Sequence, residues 1–120
     1  MEYHISKTVT GNFDEIISKV KDELKKEGFG VLTEIDIKTT LKNKLDVDFR
    51  KYTILGACNP GYAHSALLAE DKVGTMLPCN VIVQEIGEGK VEVAAVNPKA
   101  SMMAIKNTQL EQLASDVTKK

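Results

Sequence analysis

The segment from Asn12 to Gly28 constrains the fold of this chain more than any other stretch, because it carries a complete helix pattern. Asn12 is a favourable N-cap residue, and Glu15 follows three positions later. Apolar residues then recur at helical spacing, namely Phe13, Ile16, Ile17, Val20 and Leu24. Gly28 is a typical helix terminator. The opposite face carries mixed charges, so we predict an amphipathic helix with one face packed on a core.

Alternating residues on both sides of this helix predict β-strands. Residues 2–9 are predicted as the first strand and residues 29–38 as the second. In the second strand, strict alternation would place Val31, Thr33, Ile35 and Ile37 on one face and Leu32, Glu34 and Asp36 on the other. Residues 52–58 are predicted as a third strand. Residues 79–86 and 90–96 surround Gly87-Glu88-Gly89, which is typical of a β-hairpin.

Shorter helical segments complete the pattern. Residues 39–45 read as one or two helical turns, and Asn59-Pro60 predicts the start of a helix over residues 61–70. A last helix is predicted from an apolar stripe of Leu110, Leu113, Ala114 and Val117. Hairpin-connected strands with a helix near each end favour a two-layer α+β fold, in which helices cover one face of a mainly antiparallel sheet.

Length and charge narrow the function classes. The chain has 120 residues, so we expect one domain over residues 1–120. Its 16 basic and 17 acidic residues leave no positive field for phosphates, and nucleic acid is not an expected partner. No apolar run approaches the roughly 20 residues that span a bilayer, and no signal-peptide pattern is present. We therefore expect a cytoplasmic protein without a membrane partner.

The two cysteines are the main candidates for chemistry. Cys58 ends a predicted strand just before a capped helix, where helix N–H groups would favour a nucleophilic thiolate. His64, about one turn into that helix, is a candidate base, and Cys79 is a candidate resolving thiol. The alternative is that both cysteines are small core residues and His64 is a surface residue. Whether Cys58 and Cys79 form a disulfide stays open at this point.

Metal and carboxylate sites are weaker hypotheses. Cys58, Cys79, His64 and Met102 are soft ligands, but they lack the close spacing of a typical site, so no metal ligands are predicted and no cofactor is identified. Glu34 and Asp36 project from one face of a predicted strand and could bind a cation or a ligand. The alternative is that this face is the solvated side of the sheet.

Five stretches together resemble the bacterial and archaeal domain of unknown function 302 (DUF302) family. They are Thr33-Glu34-Ile35-Asp36, residues 41–49, Ile54-Leu55-Gly56-Ala57-Cys58-Asn59-Pro60, Leu77-Pro78-Cys79-Asn80-Val81 and Asn97-Pro98. The resemblance implies a curved antiparallel sheet with helices on one side, like one repeat of the TATA-binding protein fold. It also implies a homodimer, because such a sheet leaves one face uncovered. It implies no reaction.

These observations lead to one preferred hypothesis and two alternatives. The preferred hypothesis is a small dimer that binds a small molecule or a protein partner without catalysis, with Glu34, Asp36, Asn59, Pro60 and Asn80 as candidate binding residues. The first alternative is a thiol-dependent redox or transfer protein that uses Cys58 and Cys79. The second is a soft-metal-binding protein. Whether the protein is an enzyme is left open.

Overall fold

A computed structural model describes residues 4–96 of the chain. In chain order, the elements are β1 (His4–Thr10), α1 (Phe13–Lys26), β2 (Gly30–Asp36), α2 (Ile37–Leu45), β3 (Tyr52–Cys58), α3 (Pro60–Ala69), a 3₁₀ helix (Asp71–Met76), β4 (Cys79–Gly87) and β5 (Lys90–Val96). The Asn97-Pro98 motif, Met102 and the predicted last helix lie outside the described residues. No helix within residues 4–96 is long and apolar enough to cross a membrane.

The five strands form one antiparallel sheet in the order β1-β5-β4-β3-β2. The sheet is not closed, and helices pack on one side of it, which confirms the predicted two-layer α+β fold. The predicted hairpin is confirmed as β4 and β5, whose turn contains Gly89 in the left-handed region at φ 69°. The likeness to one repeat of the TATA-binding protein stays a prediction.

Helix α1 forms where its caps and apolar stripe predict it. The side-chain oxygen Oδ1 of Asn12 accepts a hydrogen bond from the backbone N–H of Glu15 at 3.2 Å, which satisfies one free donor of the first turn. Phe13, Ile16 and Ile17 are buried against the sheet. They join a core formed by Leu55, Val81, Val83 and Val91. This cluster is the main hydrophobic core of the described chain.

The cross-strand register assigns each strand residue to one of two faces, because successive side chains alternate. The covered face is the one on which α1 packs, and it carries the core residues Leu55, Val83 and Val91. The open face is the opposite one. A row of mutually paired residues crosses it from β1 to β2, namely Ser6, Ala94, Ile82, Ile54 and Ile35.

Strand β2 does not follow the strict alternation predicted for it. A β-bulge between Val31 and Thr33 pairs them with Ala57 and Gly56, which are adjacent on β3 and therefore lie on opposite faces. The prediction that Val31, Thr33 and Ile35 share a face is wrong. Val31 lies on the covered face, whereas Thr33 and Ile35 lie on the open face. Ile37 already belongs to α2.

Candidate functional site

The Cys-Asn-Pro and Pro-Cys-Asn motifs come together at one end of the sheet. Strand β3 ends at Cys58 and strand β4 begins at Cys79. Ala57 is the cross-strand partner of Cys79, and Gly56 is the partner of Asn80. Antiparallel pairing of two neighbouring strands thus brings together motifs that are 20 residues apart in the sequence.

Asn59 and Pro60 have clear local roles in starting α3. Oδ1 of Asn59 accepts a hydrogen bond from the backbone N–H of Tyr62 at 3.2 Å. Pro60 occupies the first helical position, where its missing N–H leaves no unpaired donor. The capping pattern predicted from the sequence is confirmed. These contacts account for both residues structurally, and a binding role for them stays a prediction.

The two cysteines are free thiols, and the register places them on opposite faces of the sheet. Cys79 shares the covered face with its partner Ala57, whereas Cys58 is one residue further along β3 and shares the open face with Gly56. Burial raises the pKa of the Cys79 thiol, and the nearby charge of Cys58 raises it further. Cys79 is therefore held as a neutral thiol, which is a poor nucleophile.

His64 lies on the exposed surface of α3. Among residues 4–96, no hydrogen bond joins its ring to either thiol, and the pairing of His64 with Cys58 stays a prediction. The same described residues contain no group of three cysteine, histidine or acidic side chains placed to hold a metal ion. The soft-metal hypothesis gains no support from this part of the chain.

The predicted carboxylate pair has separate structural partners. Glu34 forms an ion pair with Lys21 of α1 across the covered face. Oδ1 of Asp36 accepts a hydrogen bond from the backbone N–H of Thr39 at 3.0 Å and so caps α2. These contacts do not direct the two carboxylates at a shared site. The sequence pattern missed the cap because it placed Asp36 inside a longer strand.

An apolar groove lies between α1 and strands β1, β5, β4 and β3. Its volume is about 470 Å³. Its apolar walls come from both layers and are formed by Ile5, Val9, Ile16, Val20, Leu24, Phe29, Ala57, Val81, Val93, Ala95 and Val96. Cys79 and Asn80 also line it. Two residues of the Pro-Cys-Asn motif thus lie in a place that could receive a ligand.

Charged residues border this groove on the helix side. Lys19, Glu23 and Glu27 project from the end of α1 and the turn that follows it. Glu23 is ion-paired with Lys26 at 3.1 Å, so the border carries two positive and two negative groups. Ile5 contributes an apolar side chain that is 57% exposed, although it belongs to a strand of the sheet. The groove therefore combines aliphatic walls, a thiol and a border of balanced charge.

Sequence reasoning did not locate the groove. Its walls come from α1 and four strands that are distant in sequence, and their relative positions follow from the strand order. The available signal was the alternation that places Ile5 and Val9 on the same side of β1, and Val93 and Ala95 on the same side of β5. That pattern identifies a shared face but cannot show that α1 leaves part of it uncovered.

Comparisons with known proteins agree with the fold. The family model described as "Domain of unknown function DUF302" matches residues 5–120. A solved structure, the crystal structure of an uncharacterized conserved DUF302 protein from Bacillus stearothermophilus, is similar with a TM-score of 0.90 and 29% sequence identity. The alignment covers 99% of this chain and 92% of that chain. A comparison with curated proteins finds no match.

Proposed function

The chain belongs to the family described as Domain of unknown function DUF302, and we propose that the protein is a binding module whose groove receives a small, largely aliphatic molecule without converting it. The observation that carries this proposal is the groove between α1 and the sheet, which contains Cys79 and Asn80. Its volume of about 470 Å³ lies in the range of small-molecule sites.

The chemistry of the walls favours an aliphatic ligand. Leu24, Val93 and Ala95 offer dispersion contacts but no hydrogen-bonding groups in their side chains. A ligand methylene transferred from water to such walls gains about 0.8 kcal/mol, which is roughly a fourfold gain in affinity for each added carbon. Affinity should therefore rise with chain length until the groove is filled.

The aliphatic walls select the polar end of the ligand. Glu23 is ion-paired with Lys26 at 3.1 Å, and Glu27 and Lys19 carry opposite charges, so the border has no net charge. Removing a ligand carboxylate from water into such a groove costs more free energy than removing a hydroxyl group. We therefore expect a neutral polar end. An alcohol should bind more tightly than the carboxylate of the same chain length.

Nuclear magnetic resonance of the full chain tests this proposal. The ¹⁵N-labelled protein is titrated with 1-octanol, 1-decanol and decanoate, and amide shifts are followed along the chain. The proposal expects shifts at Val20, Val81 and Ala95, tighter binding of decanol than of octanol, and weaker binding of decanoate. Shifts confined to residues outside the groove, or equal affinity for the two alcohols, would contradict it.

A thiol-exchange function is the second candidate, because Cys58 and Cys79 lie at the same end of two neighbouring strands and both are free thiols. The Cys58 thiolate would attack a small disulfide and release one thiol as a mixed disulfide forms. The Cys79 thiolate would then attack the sulfur of Cys58, which forms a Cys58–Cys79 disulfide and releases the second thiol. The opposite faces of the two side chains disfavour this last step.

Incubation with oxidised glutathione, followed by mass spectrometry of the intact protein, separates the two candidates. A binding module leaves both thiols reduced or stops at a mixed disulfide. A thiol-exchange protein loses two hydrogen atoms and retains no glutathione. The Cys79→Ser variant is the matched control, since it can form only the mixed disulfide at Cys58.

A further inference from the structure

Three polar side chains are joined by hydrogen bonds on the open face, beside its apolar row. Nε of Arg50 donates a hydrogen bond to Oε1 of Gln84 on β4 at 2.7 Å. Nε2 of Gln84 in turn donates to Oε1 of Glu92 on β5 at 2.8 Å. The register pairs Gln84 directly with Glu92, so these two side chains lie side by side on the same face. A neutral amide on the central strand thus separates a cation from an anion.

The guanidinium of Arg50 is held in place by two aromatic rings. Its central carbon lies 4.4 Å from the ring centroid of Phe49 and 5.7 Å from that of Tyr52. Such cation–π contacts fix a guanidinium without using its N–H groups. Within residues 4–96, the side-chain hydrogen bonds of Arg50 use Nε alone. Its two terminal nitrogen atoms can therefore donate to a planar anion such as a carboxylate, in the bidentate geometry that arginine favours.

The carboxylate of Glu92 lacks a cationic partner in the part of the chain that the structure describes. The ion pairs among residues 4–96 include neither Glu92 nor Arg50. Glu92 is half-buried, and the one side-chain donor that contacts it is the uncharged amide of Gln84. A carboxylate has two oxygen atoms and can accept several hydrogen bonds. Glu92 can therefore accept a further hydrogen bond from a ligand ammonium group.

We propose that the open face binds a short peptide with free ends, whose carboxylate pairs with Arg50 and whose amino terminus pairs with Glu92. Both contacts are hydrogen bonds between charged groups, which are stronger than those between neutral groups. Gln84 bonds to both side chains and so fixes the distance between the two charges. This site is separate from the groove, which lies between α1 and the covered face.

The spacing of the strands indicates the length of the peptide. Arg50 lies just before β3, and Glu92 lies on β5, with β4 between these two strands. The two charges are therefore about two strand spacings apart, which is roughly 10 Å. An extended chain of three residues spans about 10 Å as well. Its side chains would contact Ile54 and Ile82, which are half-buried in the adjacent apolar row.

A zwitterion complements this pair of charges better than an ion of one sign does. A simple anion would be attracted by Arg50 but repelled by Glu92, and a simple cation would meet the reverse. A nucleic acid is disfavoured for the same reason, because its backbone is uniformly negative. A molecule that carries a carboxylate at one end and an ammonium group at the other satisfies both side chains at once.

Capped peptides test both contacts on the unaltered protein. The ¹⁵N-labelled full chain is titrated with trialanine, N-acetyl-trialanine, trialanine amide and dialanine. We expect saturable amide shifts at Tyr52, Gln84 and Glu92 with trialanine, and none at Val20 in the groove. The acetyl cap removes the ammonium group and the amide cap removes the carboxylate, so each should weaken binding at least about tenfold. Dialanine is too short to reach both charges and should also bind more weakly.

Variants of the two charged residues complete the test. Arg50→Gln and Glu92→Gln should each weaken trialanine binding at least about tenfold, and their amide spectra check that they are folded. Lys51→Gln is the matched control, because Lys51 lies near Phe13 and its replacement should leave the affinity unchanged. Three outcomes would overturn the proposal. They are a wild type that does not bind trialanine saturably, capped peptides that bind as tightly as trialanine, and a charge-removing variant that binds trialanine like the wild type.

Discussion

Cys58 and Cys79 lie at the same end of two neighbouring strands, but their side chains are on opposite faces of the sheet. This relationship separates the roles of two residues that the sequence presents as a pair. Cys79 contributes a buried thiol to the groove on the covered face. Cys58 lies on the open face, just before the N-cap of α3. Joining them in a disulfide would require one side chain to leave its face.

The raised pKa of Cys79 predicts a pH dependence of stability. Below the ordinary thiol pKa, the folded and unfolded chains both carry the neutral thiol, and its contribution is fully present. As the pH rises from that value towards the folded pKa, the unfolded chain loses its proton first, so the free energy of unfolding falls. Denaturant unfolding across this pH window should show a shallower fall for Cys79→Ser than for the wild type. Cys58→Ser should keep most of the wild-type fall in the free energy of unfolding, because burial is the larger cause of the raised Cys79 pKa. Equal slopes in all three proteins would contradict the assignment of this pH dependence to Cys79.

Replacing Gly56 with a residue that has a side chain should disturb the packing on the open face. A side chain there would collide with Oγ1 of Thr33 and would place its Cβ 2.8 Å from Cγ of Pro78. Gly56→Ala should lower the free energy of unfolding by about 1–3 kcal/mol, as expected for overpacking at a buried position. Gly30→Ala on β2 is the matched control, since nothing lies within 4 Å of a Cβ at that position. Equal effects of the two substitutions in denaturant unfolding would show that the contact with Thr33 is wrongly placed.

Replacing Asp36 should remove the cap of helix α2 rather than a ligand-binding group. Asp36→Ala removes the acceptor for the N–H of Thr39 and should destabilise the protein by about 1 kcal/mol. Asp36→Asn keeps an acceptor oxygen and should retain most of the stability. Glu34→Ala removes an exposed ion pair with Lys21 and should cost less than about 1 kcal/mol. Thermal unfolding of the three variants measures these differences, and an Asp36→Asn variant as unstable as Asp36→Ala would argue against the cap.

Local signals in the sequence were sufficient for most of the fold. The caps of α1 and α3 and the turn at Gly89 act within a few residues, and β3 occupies the predicted range from Tyr52 to Cys58. The faces of β2 were not predictable in this way. The bulge after Val31 depends on how the strand pairs with β3, and alternation alone carries no sign of it.

The candidate site was only partly predictable for a related reason. The two cysteine motifs were recognised as sequence features, and Cys79 does line a concavity. The rest of that concavity arises where α1 leaves part of β1 and β5 uncovered, which is a property of packing between layers. Asp36 shows the reverse case, in which a polar residue that suggested a binding site is used by a helix cap.

The affinity of the full chain for 1-decanol, compared between two variants of β1, tests the central claim most directly. Ile5 lines the groove and is exposed enough for Ile5→Asp to leave the fold intact, whereas Thr10 lies on the open face of the same strand. Isothermal titration should show that Ile5→Asp weakens binding at least about tenfold, because it removes an apolar contact and desolvates a carboxylate. Thr10→Asp should bind like the wild type. Equal affinity of Ile5→Asp and the wild type, or no binding by the wild type, would contradict a ligand site in the groove.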